Sequence, residues 1–233
     1  MQIIFLDTET TGLKDARLVQ LAYKKLGEKS CVNEYFKPPV PIDIEAMAVH
    51  HITEKKVLNR PQFANSDTYV GLSGLLEQSV LVAHNAKFDI SILANEGMAA
   101  GKYICTYKIA QHMYDLPNYK MQYLRYLWNI DIDGAYAHDA EGDVVVLEQV
   151  FNYMLDEFSR KNDLSRDEAI EKFIEISSAP QLLRRVNFGK HIGKTFEEIK
   201  KVDPGYLGWL ASLSDKDEDF IYTAKYFLQK SNN

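Results

Sequence analysis

Asp7 and Glu9 stand one residue apart in the stretch DTETTGL, directly after the apolar run IIFL. On a β-strand, side chains at i and i+2 point to the same face. The two carboxylates therefore sit side by side, an unfavourable arrangement unless a cation lies between them. Two other segments hold the groups that could complete a cation site. HNAKFD places Asp89 after a short apolar strand, near a helix start. HDAEGD places His138 in a loop and Asp143 in the first turns of a long helix. Asp139 is positioned to cap that helix through its side-chain oxygen, which puts Asp143 about one turn in and still near His138.

Asp7, Glu9, Asp89 and Asp143 form an oxygen-rich set, the kind that hard cations such as Mg²⁺ or Mn²⁺ prefer. The cysteine pairs of a structural zinc site are absent. Two such ions about 3.5–4 Å apart can clamp the attacking and leaving oxygens of a phosphodiester. A histidine, with its reference pKa of about 6.5, suits the base that such a reaction needs near neutral pH. Each residue alone also has an ordinary reading: a solvated strand end, a helix cap, a surface acid. Their joint occurrence is what points to chemistry.

DTETTGL, HNAKFD and HDAEGD resemble, in order and spacing, the three motifs of the DEDDh (DnaQ-like) 3′–5′ exonuclease family, the last with the H-x-A-x-x-D form of its histidine subgroup. The resemblance covers about residues 1–158 and includes AMAVHHIT. It implies an RNase H-like fold and two-metal hydrolysis from 3′ ends, with Asp7, Glu9, Asp89 and Asp143 as metal ligands and His138 as general base. It also implies that Thr10 meets the terminal 3′-hydroxyl through its backbone, and that Leu13 wedges against the terminal base. His50 and His51 are expected to shape a substrate loop, and His84 and His112 to be satisfied histidines with no part in the chemistry. Asn85 either hydrogen-bonds a nucleotide or holds its loop.

The elements that must position these groups can be read from the pattern. QIIFLDT, RLVQLAYKKLG and SCVNEYFKP predict three strands in an antiparallel meander, since their connections are too short for a crossover helix. PPVP breaks regular structure. Thr53 is read as the cap of a short helix over EKKVL, stopped by Pro61. FANSDTYVGLSGLLEQS reads as helix, VLVAH as a buried strand, and KFDISILANEG as a helix closed by Gly97. TYKIAQHMYD and YKMQYLRYLWN predict two helices separated by Pro117. DAEGDVVVLEQVFNYMLDEF has apolar residues at helical spacing. The expected class is α/β, a mixed sheet flanked by helices. The expected division is an exonuclease domain over residues 1–160, a helical connector over 161–179 and a small α+β module over 180–233.

The module is the less expected part. FGKHIGK followed by DPGYLGWL is similar to the C-terminal domain of exonuclease X-like proteins. Thr195 and Glu198 predict a capping box, and Pro204 a helix start. Phe188 and Trp209 are read as its core. Lys190, His191 and Lys194 lie on a glycine-rich turn suited to phosphates. The chain of 233 residues has a net charge of −6. Residues 179–202 hold six Lys/Arg and two acids. With +4 there and −6 overall, the remainder carries −10, so one basic surface faces an otherwise acidic protein.

No apolar run is long enough for a membrane helix, and no secretory signal is evident. The two cysteines, Cys31 and Cys105, fit free thiols in the cytoplasm. The leading expectation is a Mg²⁺- or Mn²⁺-dependent 3′–5′ exonuclease acting on DNA ends in repair or processing. The alternatives are an RNA 3′-exonuclease, a polymerase proofreading subunit, or a non-catalytic nucleic-acid-binding adaptor. The sequence leaves the oligomeric state open.

Overall fold

In the computed structural model, which describes residues 1–135, 137–214 and 218–230, the strand that carries Asp7 and Glu9 lies in the middle of the sheet. The five strands are β1 (Gln2–Thr10), β2 (Leu18–Lys25), β3 (Val32–Tyr35), β4 (Ser79–Ala83) and β5 (Tyr103–Cys105), in the order β3-β2-β1-β4-β5. β1, β2 and β3 form the expected antiparallel meander. β4 pairs parallel to β1, and β5 parallel to β4. β4 is buried along its whole length, as a strand covered on both faces must be. β5 is only three residues long, too short to show a periodicity in the sequence.

The helices are α1 (Ile44–His50), α2 (Glu54–Val57), α3 (Asp67–Leu76), α4 (Ala86–Asn95), α5 (Thr106–Met113), α6 (Met121–Leu127), α7 (Ala140–Asn162), α8 (Arg166–Ser178), α9 (Phe196–Val202), α10 (Pro204–Ser212) and α11 (Glu218–Gln229). α7 crosses the sheet face that displays Ile3 and Phe5, and Phe5 meets Phe151 edge to face at 5.4 Å. Leu6 points to the opposite face, into a second core with Leu72, Leu76, Ile92 and Leu93 of α3 and α4. Each fully buried side chain of this size contributes about 1.5–3 kcal/mol.

Several local readings change. Thr53 precedes α2 but makes no side-chain cap, and the Glu54 carboxylate accepts from the Ile42 N–H instead. α1 falls in a stretch with no clear amphipathic stripe and was not anticipated. The stretch read as a connector carries α8, whose Ala169, Ile170 and Phe173 are built into the main core. Ser165 and Glu168 start α8 with a capping box.

Beyond Pro180 a separate apolar cluster forms from Leu183, Val186, Phe196, Ile199, Leu207, Leu210 and Ala224. Thr195 and Glu198 close the expected capping box of α9, and Pro204 opens α10. Among the described residues the β content of this module is one antiparallel bridge, Arg185 to Thr195. Phe188 packs against its core, but Trp209 is 47% exposed rather than buried. α11 is pinned to the sheet domain at its first turn. Lys108 of α5 pairs with Asp219 at 3.2 Å, and both side chains are 7% exposed. Lys87 of α4 pairs with Glu218. No helix of the described residues is long and apolar enough to cross a membrane.

Candidate active site

β1 continues its α7-facing side, Ile3 and Phe5, into Asp7 and Glu9. The strand ends in an irregularity, where the register with β2 shifts between Glu9 and Thr10. Such bulges re-aim side chains at the edge of a site. Asp89 enters from the first turn of α4, which follows β4, and Asp143 from the first turn of α7. All four carboxylates and His138 line one cleft of about 690 Å³. The five residues singled out by spacing alone are thus brought together.

Two of the acids have defined orienting partners. The Thr8 hydroxyl donates to Asp89 Oδ1 at 2.8 Å. The Gln122 amide donates to Asp143 Oδ1 at 2.9 Å, and the His138 backbone N–H donates to Asp143 Oδ2 at 2.9 Å. His138 has φ 61°, a left-handed conformation, and its side chain is exposed at the cleft. Asp7 is surrounded by Asp89, Asp143, Glu9 and Asp139.

Burial is the largest influence on all four, and it pushes each carboxyl upward. Asp7 is raised well above the ordinary range by burial and then by Asp89 and Asp143. Glu9 rises to about 8 through burial and then the charges of Asp143 and Asp89. Asp89 rises to about 7 through burial, against the opposing hydrogen bond from Thr8. Asp143 is raised by burial against the backbone N–H of His138. Four acids so placed are costly when ionised together. The chemistry of these donors fits a divalent cation. Ligand atoms of Glu9, His138 and Asp143 lie within 4.8 Å of one another.

The neighbouring residues support the loop after β1. The neutral His50 ring donates from Nε2 to the Thr10 carbonyl (3.1 Å) and accepts at Nδ1 from the Ile52 N–H. Burial holds its pKa down. His50 therefore anchors the end of β1 through α1, and the exposed His51 closes that helix at φ 57°. A Cβ at Gly12 would stand 2.2 Å from the Asp43 carboxylate, so a side chain here would have to turn Asp43 aside, and the Asp43 N–H is bound to the Thr11 carbonyl. Leu13 is 89% exposed, with no apolar surface of its own chain to cover it. Asn85 adopts φ 70° at the start of α4 and lines the cleft. His84 is packed and neutral, its pKa pushed down to about 4 by burial. Its Nε2–H donates to the Tyr119 carbonyl, and Nδ1 accepts from Thr106.

Asp139 and His191 are placed differently from the sequence reading. Asp139 does not cap α7 with its side chain; its Oδ1 accepts from the Gln20 amide at 2.7 Å. His112 is exposed on α5, outside the acidic cleft, while Ile109 and Ala110 of the same helix face the core. Lys190 pairs with Asp203 at 2.6 Å while its side chain stays 62% exposed, and Lys190 and Lys194 lie outside the lining of the acidic cleft. His191 is buried on the same Asp203 and against the Tyr206 ring, so it faces the module rather than a ligand.

Four contributors were not legible in the sequence. Thr8 and Gln122 orient acids, while Leu183 and Phe220 of the C-terminal module line the cleft itself. Their signal is long-range contact, and no local pattern carries it.

Comparison with known proteins agrees with this geometry. A family model described as Exonuclease matches residues 4–151, and one described as Exodeoxyribonuclease X-like C-terminal matches residues 186–212. Exodeoxyribonuclease 10 of Escherichia coli is 27% identical over 97% of this chain and 98% of its own length. DNA polymerase III subunit epsilon of Treponema pallidum is 28% identical over 67% of this chain and 77% of its own. Among solved structures, Exonuclease X in complex with 5′ overhanging duplex DNA matches with TM-score 0.56 and 22% identity, over 75% of this chain and 99% of that one. Escherichia coli Exonuclease I in complex with an oligonucleotide matches with TM-score 0.59 and 16% identity, over 70% of this chain and 42% of that one. With its exonuclease model spanning more than half of the sequence and its acids gathered at the end of the central strand, the chain belongs to the exonuclease family.

Proposed function

We propose that this chain is a metal-dependent 3′–5′ exonuclease that removes nucleotides from DNA 3′ ends, in repair or processing. The observation that carries this is the convergence of Asp7, Glu9, Asp89 and Asp143 with His138 in one cleft. The four acids would hold two Mg²⁺ or Mn²⁺ ions. When bound, such ions stabilise charge on the phosphodiester and ease deprotonation of the attacking water.

The chain's own groups do the rest. His138 accepts the proton of the attacking water, as an exposed imidazole at the cleft is suited to do. Thr8 and Gln122 hold Asp89 and Asp143 in fixed orientation, so no reorganisation is needed when substrate arrives. The backbone at Thr10, anchored by His50, meets the terminal sugar, while Leu13 packs on the terminal base. Asn85 is placed at the same cleft to hydrogen-bond the nucleotide. DNA is favoured over RNA by the end-to-end match to a protein named Exodeoxyribonuclease 10. Free Cys31 and Cys105 support a reducing compartment, the cytoplasm.

The test is incubation of the purified protein with 5′-labelled DNA and RNA of the same sequence. The expected result is a ladder of shortened DNA products with Mg²⁺, slower trimming of RNA, and none with EDTA. Trimming that persists in EDTA, or RNA trimmed faster than DNA, would overturn the proposal.

A further inference from the structure

We propose that a single DNA strand approaching the acidic cleft lies in a second hollow, between the C-terminal module and the α5–α6 corner, with its phosphates on Lys120, Arg184 and Arg185. This rests on the nuclease reading above. The hollow has a volume of about 720 Å³. It shares Tyr107, Gln111, Lys120 and Leu183 with the acidic cleft, so the two lie side by side along these residues.

Their charges are opposite. The first is lined by four carboxylates. The second is lined by three cations and one acid, Asp115, which lies 3.5 Å from Arg185. Lys120 and Arg184 are exposed and have no ion pair or side-chain hydrogen bond among the described residues. Lys190 of the module is engaged by Asp203. Lys120 and Arg184 are thus available cations beside the cleft. A polynucleotide needs this sequence of charge: cations for its phosphates, then an acidic site that metal ions have made attractive to the terminal phosphate.

The hollow also offers aromatic faces. Tyr107 and Tyr119 line it, with ring centroids 6.1 Å apart. Unpaired bases stack on such rings with little regard for sequence, which is why the occupant is a single strand rather than a duplex. The arginines are held against the sheet domain. The Leu183 N–H is bound by Thr223 of α11, and α11 is in turn locked to α5 by Lys108 and Asp219. A strand lying here would span both domains.

The test uses the full-length protein and a Lys120→Ala/Arg184→Ala variant. Binding of a fluorescent single-stranded oligodeoxynucleotide is measured by anisotropy in EDTA at three salt concentrations. Hydrolysis of that strand and of a dinucleotide is measured separately with Mg²⁺. The variant is expected to bind the long strand at least tenfold more weakly. Its slope of log K against log salt should be shallower by about 1.4, since two phosphates of a single strand are no longer neutralised. The ratio of kcat/KM for the long strand to that for the dinucleotide should fall by a similar factor. A Lys120→Arg/Arg184→Lys variant should retain most of the wild-type binding, because it keeps the charge. An unchanged slope and affinity in the alanine variant would overturn the groove. An equal fall in affinity in the charge-conserving variant would overturn it as well, because packing would then be responsible. If wild-type protein binds through the groove but hydrolyses neither substrate, the nuclease reading fails while the groove stands.

Discussion

Replacing Glu9 with Gln should make the metal-free protein more stable at pH 8 and leave it unchanged at pH 4. Glu9 has an ordinary pKa of 4.5, and in the fold it rises to about 8. The folded state therefore holds a proton on Glu9 that the unfolded chain has already lost. Below pH 4.5 both states are protonated and Glu9 costs nothing. As pH climbs towards 8 the unfolded state is favoured by ionisation, so stability falls through this window. At about 1.4 kcal/mol per tenfold change, the full effect is roughly 4–5 kcal/mol. Gln keeps the size and polarity of the side chain and removes the titration. Urea unfolding in EDTA at pH 4, 6 and 8 measures it: the variant's advantage should be absent at pH 4 and grow steadily above it. Adding Mg²⁺ at pH 8 should stabilise wild type and narrow the gap. A variant equally or less stable than wild type at pH 8 would refute the reasoning, since Glu9 would then have found a compensating partner in the fold.

His138→Ala should lower turnover by about 10²–10⁴-fold, the usual contribution of a positioned acid–base group; isothermal titration should still detect Mg²⁺ binding. Leu13→Ala should slow removal from duplex ends more than from single strands, read by comparing the two substrates, because only duplex ends must be frayed. Lys108→Met takes the cation from a buried ion pair with Asp219, and breaking such a pair costs about 3–5 kcal/mol. Urea unfolding followed by Trp209 fluorescence in a Trp128→Phe background should show the module released at lower denaturant than the sheet.

How much of the site was legible in the sequence depends on how each residue is held. Asp7 and Glu9 were readable because strand geometry alone puts i and i+2 on one face. Asp143 and His138 lie five residues apart across a helix start, so local turn geometry brings them together. The orienting groups were different. Gln122 reaches Asp143 from 21 residues away, and Gln20 reaches Asp139 from 119 away. Gln20 also explains why Asp139 leaves its expected capping role: the buried amide offers its oxygen a stronger claim than the helix N–H groups. β5 and α1 were missed because three residues carry no period, and because α1 is fixed by Asp43 and His50 contacting the β1 loop rather than by its own pattern. In the module, the capping box and Pro204 were local and correct. Trp209 depended on what lay opposite it, and that side is water.

The placement of Leu183 and Phe220 in the cleft wall has a consequence for biosynthesis. Chains fold from the N-terminus as they leave the ribosome. All five strands and all four acids precede residue 144, so the acidic end can form while the module is still being added. Yet the side of the cleft formed by the module stays open until Phe220 has emerged and α11 has docked on Lys108. A half-made chain therefore carries the acids without the wall that guides a strand to them. Completion of the cleft wall is therefore tied to the emergence of α11, the last helix of the chain's described residues.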